Sequence, residues 1–87
     1  MFLDQPDGSW HIGVCRGPRY QRILKGVTKL GDFYNKFNCL ERCGVHPDVT
    51  GCEFDKATSQ CKAHTEPVYP RFVFGKSVCF VFQKYIN

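Results

Sequence analysis

The spacing of apolar residues along the chain predicts mostly short strands, with one helix among them. The longest uninterrupted apolar run is Val78-Cys79-Phe80-Val81-Phe82, a pattern that fits a strand buried on both faces. It lies within a strand expected over Ser77 to Ile86, with Arg71 to Phe74 as its hairpin partner across Gly75-Lys76. Gly51 to Lys56 and Gln60 to His64 form a second expected hairpin around Ala57-Thr58-Ser59. Nearer the start, His11 to Arg16 and Arg19 to Lys25 read as strands parted by Gly17-Pro18, and Gly26 closes the second. Residues 1–10, which include Asp4, Pro6, Asp7 and Gly8, read as a mobile polar lead-in to a single domain over 11–87.

Helical periodicity is clearest from Phe33 to Cys43. Asp32 precedes this stretch as an N-cap candidate, and Gly44 follows it in the position of a stop. At about 100° per residue, Phe33, Lys36, Phe37, Cys39, Leu40 and Cys43 share one arc. The opposite arc holds Tyr34, Asn35, Asn38, Glu41 and Arg42. Phe33, Phe37 and Leu40 are expected to be buried against a sheet, with both cysteines on the same side. The stem of Lys36 can run past the apolar edge while its ammonium stays wet.

Composition narrows the class further. A chain of 87 residues buries only about 60–65% of its unfolded surface, so its core alone is marginal. Eight Phe, four Tyr and one Trp against two Ala disfavour a helical bundle and suit a sheet-rich domain. Six cysteines, an even number, read as a disulfide framework of the kind found in secreted proteins. No apolar run approaches the roughly 20 residues that span a bilayer. Met1 to Trp10 has no cationic and apolar signal-peptide pattern, so the chain is expected to be a mature domain or part of a longer protein.

Catalytic and metal chemistry find little support. Ser9, Ser59 and Ser77 stand outside any nucleophile-elbow context, and His11, His46 and His64 are scattered. The intervals Cys39-x3-Cys43, Cys43-x8-Cys52 and Cys52-x8-Cys61 contain no Cys-x2-Cys zinc knuckle. No catalytic residue, metal or cofactor is therefore expected.

The cysteine pattern resembles the PAN/apple module. Cys39-Leu40-Glu41-Arg42-Cys43 on a helix is followed by Cys52-Glu53-Phe54-Asp55 and then Cys61 at a strand, with Cys15 and Cys79 near the ends. The stretch Phe54-Asp55-Lys56-Ala57 is also similar to the N-terminal domain of hepatocyte growth factor, a member of that group. The Cys52–Cys61 interval is shorter than is usual in the family. The resemblance implies an α+β fold: a small disulfide-rich domain in which an antiparallel sheet of about five strands cradles one α-helix. It also implies the pairs Cys15–Cys79, Cys39–Cys61 and Cys43–Cys52. In function it implies a secreted, non-enzymatic module that recognises an extracellular glycan or protein.

Charge suggests where such a ligand would bind. Between Gly8 and Gly31 lie Arg16, Arg19, Arg22, Lys25 and Lys29, with no Asp or Glu. The whole chain carries +4, so the rest of it sums to −1. Cations segregated in this way can form a patch for an anionic, heparin-like polymer, and arginine suits bidentate contact with sulfate. Lys62, Lys76 and Lys84, outside the segment, are expected to matter less. Nucleic acid and membrane insertion are not expected. A secreted toxin or antimicrobial protein, or a matrix or adhesive component, is the alternative that the same composition allows.

Overall fold

A computed structural model describes residues 7–83. Five strands form one antiparallel sheet in the order β1-β7-β4-β5-β3. In chain order these are β1 (Gly8–Ile12), β3 (Val27–Asp32), β4 (Gly51–Asp55), β5 (Gln60–His64) and β7 (Ser77–Phe82). A two-stranded sheet pairs β2 (Val14–Arg16) with β6 (Tyr69–Arg71). The single α-helix among the described residues, α1, spans Lys36–Gly44. It is not long and apolar enough to cross a membrane.

The helix covers one face of the large sheet. Cys39, Leu40 and Cys43 point inward from α1 onto Cys52, Phe54, Cys61, Ala63, Val78, Phe80 and Phe82. Two disulfides fasten it there, Cys39–Cys61 to β5 and Cys43–Cys52 to β4. On the other face a smaller cluster joins Cys15, Val68, Cys79 and Val81, with Ile23 against it. The third disulfide, Cys15–Cys79, links β2 to β7 through this second face. Strand β7 lies between β1 and β4 and is buried from Val78 to Phe82, as its continuous apolar run requires.

Several expected boundaries shift, each for a local reason. The lead-in is ordered from Gly8, because Ser9 and Trp10 pair with Val81 and Phe80; the part of it over 1–6 lies outside the described residues. The strand expected over His11–Arg16 is cut at Gly13. There φ is +127°, and a Cβ would sit 1.9 Å from the Arg71 carbonyl oxygen, so only glycine fits. The turn sends Val14–Arg16 out of the large sheet to pair with Tyr69–Arg71.

Arg19–Lys25 is not a strand. Arg19 and Tyr20 both have φ near +60°, and the turn closes through Tyr20 N–H to Gly17 O and Gly17 N–H to Gln21 O. The strand instead follows, at Val27–Asp32. A bulge between Lys29 and Gly31 disturbs its pairing with β5. Val27 lines the second face and Leu30 packs on the helix-side core, so the strand has no one-sided apolar alternation.

Asn35, not Asp32, caps the helix by accepting the Asn38 N–H at 2.9 Å. Phe33 and Tyr34 therefore precede α1, and Asp32 ends β3. Leu40 is buried, Phe33 is half-buried, but Phe37 is 52% exposed and stands edge-on to Trp10 at the margin of the core. The Arg71–Phe74 strand also fails, because Tyr69–Arg71 pairs with β2 and leaves Phe72–Lys76 as a loop. Strand β7 pairs with β1 and β4 instead. The expected end of that strand over 84–86 lies outside the described residues.

Candidate functional site

The side chains that alternate away from the helix-side core build the second face. Along β4 and β5, Glu53 and Lys62 are cross-strand partners, and Lys29 of β3 stands opposite Lys62. Opposed residues of antiparallel strands share a face, so these three form a polar row beside the Cys15–Cys79 bridge. Above the row, β2 and the 22–27 segment form a cleft of about 220 Å³. Arg16, Arg22, Glu53, Lys62 and His64 supply its polar lining.

Satisfaction of hydrogen bonds in the cleft is incomplete. Glu53 Oε1 accepts the Cys15 N–H at 2.7 Å, which fixes the carboxylate. Among the described residues, four buried side-chain nitrogens have no hydrogen-bond partner. Three of them belong to residues that line this one cleft: Arg16 Nε and both ring nitrogens of His64. Buried donors and acceptors are normally paired, and these three nitrogens have almost no accessible surface of their own. Burial, followed by the charge of Lys62, lowers the His64 pKa to about 4. The imidazole is thus neutral near pH 7 and does not repel the neighbouring guanidinium groups.

A possible metal constellation is already committed to other bonding. Ligand atoms of Cys15, Glu53 and His64 lie within 4.8 Å of one another. Cys15 is bonded to Cys79, however, and a disulfide sulfur is not the thiolate that binds zinc.

The five cations of the basic segment are divided by the fold. Arg16 and Arg22 converge on the cleft, while Lys29 stands one strand away on the same face. Lys25 lines an adjoining groove of about 380 Å³ that shares Arg22 and Ile23 with the cleft. Arg19 is exposed on the left-handed turn and lines neither space. Lys62, expected to lie outside the patch, is part of it. Its position follows from alternation on β5, since Cys61 and Ala63 face the helix-side core. Lys84 lies outside the described residues.

With three permanent cations and one carboxylate on its lining, the cleft attracts anions. Its guanidinium groups can accept sulfate or carboxylate oxygens in a forked geometry. No protein-family model, curated protein or solved structure matches the chain.

Proposed function

We propose that this protein is a secreted, non-enzymatic binding module of PAN/apple type that holds an anionic extracellular glycan of heparin-like character. The observation that carries this reading is the convergence of Arg16, Arg22 and Lys62 in one cleft, with Lys29 beside Lys62 in register. Such a cluster raises the local concentration of a polyanion and forms salt-sensitive contacts along it. Three disulfides in so small a domain suit an oxidising compartment. The cleft offers a sulfate or carboxylate group the cationic side chains of Arg16, Arg22 and Lys62 as donors.

Heparin affinity chromatography tests the reading. The protein should be retained and released by salt, because the attraction is screened over about 8–10 Å. Replacing Arg16, Arg22 and Lys29 with Gln should lower the elution salt clearly. Replacing Arg42, Lys56 and Lys76, which are exposed and line neither the cleft nor its adjoining groove, removes equal formal charge and should lower it less. Arg22→Gln with Lys29→Gln alone covers the case in which loss of the partly buried Arg16 disturbs folding. Equal elution of the two triple variants, with unchanged melting temperatures, would defeat the proposal.

A further inference from the structure

One end of the large sheet gathers exposed apolar side chains from separate segments. Ile12 closes β1 opposite Val78, Asp55 closes β4 opposite Ser77, and Asp32 closes β3 opposite Gln60. Beyond these strand ends, the Lys56 N–H donates to Lys76 O at 2.9 Å, and the Phe33 N–H donates to Ser59 O. Exposed at this end are Tyr34 at 92%, Phe74 at 91% and Phe72 at 64% on the connecting segments, and Ile12 at 62% at the end of β1. Phe72 and Phe74 pack edge to face, with centroids 5.4 Å apart, so their rings rest on each other and not on the core. An exposed apolar cluster of this kind marks an interaction surface.

Cations surround it. Arg71 and Lys76 flank Phe72-Val73-Phe74-Gly75 in the chain, and all six residues are exposed. Lys56 shares a groove with Tyr34 and Phe37, and Lys36 lies over the Trp10 ring at 4.9 Å. The carboxylates at these strand ends are Asp32 and Asp55, and Asp55 is engaged by the Ala57 N–H at 2.8 Å.

We propose that this end docks on the surface of an anionic lipid membrane, with Phe72 and Phe74 in the interfacial layer and Lys56, Arg71 and Lys76 among the phosphates. A bilayer surface offers an apolar layer beneath a layer of negative charge, the same order as the rings and cations here. A second copy of the chain would bring like cations against one another. The docking is peripheral, involves no spanning segment, and does not depend on the glycan cleft, whose residues lie on the second face.

Vesicle flotation tests it, with phosphatidylcholine vesicles prepared with and without phosphatidylserine. The protein should float with the anionic vesicles and much less with the neutral ones. Phe72→Ser with Phe74→Ser should lower partitioning by on the order of tenfold or more. Lys56→Gln with Lys76→Gln should lower it by about fivefold per charge on anionic vesicles alone. Arg16→Gln with Arg22→Gln should leave it unchanged, which separates this surface from the cleft. A Phe74→Trp variant should show a blue-shifted emission component on anionic vesicles, quenched by brominated acyl chains. The proposal is overturned by no flotation, by equal partitioning of the double Phe variant, or by binding without any emission shift at position 74. A dimer abolished by Phe74→Ser would assign the surface to a second copy and overturn it equally.

Discussion

Under α1, the sheet meets a continuous core of aromatic, aliphatic and cystine side chains, closed by two disulfides of short sequence separation, 22 and 9. On the opposite face, four buried residues and one disulfide of separation 64 support a cleft lined by charged groups. Three of the four partnerless buried nitrogens among the described residues belong to the second face; the fourth is Trp10 Nε1. The same strands serve both faces, since neighbouring residues point oppositely. A domain this small can therefore give one face to folding and leave the other polar, provided that the first face and the disulfides carry most of the stability.

The largest effect should come from removing the cystine that holds the second face. Cys15→Ser with Cys79→Ser releases a loop closed over a separation of 64 residues and should cost about 4 kcal/mol through chain entropy. Denaturant unfolding measures the loss, and circular dichroism should find the helix retained. Loss of the helix in native buffer would mean that the two faces do not differ in the way described.

Next comes packing on each face. Leu40 is 2% exposed under the helix, and Leu40→Ala should cost about 3–4 kcal/mol. Ile23 on the other face is only half-buried, and Ile23→Ala should cost about 1 kcal/mol. Glu41→Ala, on the exposed side of α1, should stay within about 0.5 kcal/mol. Equal losses at Leu40 and Ile23 in urea titrations would erase the contrast between the faces.

The helix and the inward side of Cys39, Leu40 and Cys43 were legible from their helical spacing, but its start at Lys36 and the exposure of Phe37 were not. The hairpin of β4 and β5 and the buried run of β7 were legible from turn residues and apolar continuity. Strand β3 was obscured by its bulge and by Val27 and Leu30 serving opposite faces. The pairing of β2 with β6 joins residues far apart in the chain, and neither three-residue strand carries a periodicity of its own. For the site, the basic segment pointed to Arg16 and Arg22, but a linear run of charge does not reveal which cations converge. Glu53, Lys62 and His64 come from other strands, and only the sheet register places them beside the arginines.

His64 gives the second face a pH signature. Its pKa is lowered from 6.5 to about 4 in the folded state, so the unfolded chain takes up this proton first as the pH falls. Stability present above about pH 6.5 should decline progressively toward pH 4, by up to about 3 kcal/mol from this group. Thermal melts across that window should show the slope in the wild type and a flatter one in His64→Gln. An unchanged slope in the variant would place the titrating group elsewhere.

The most direct test of the central claim, that the face opposite the helix is the ligand surface, is an NMR titration of isotope-labelled protein with a heparin-derived oligosaccharide. Amide and side-chain shifts should concentrate at Arg16, Arg22, Glu53, Lys62 and His64, and α1 should stay quiet from Lys36 to Gly44. Shifts centred on the helix, or spread evenly over every lysine and arginine, would contradict the account.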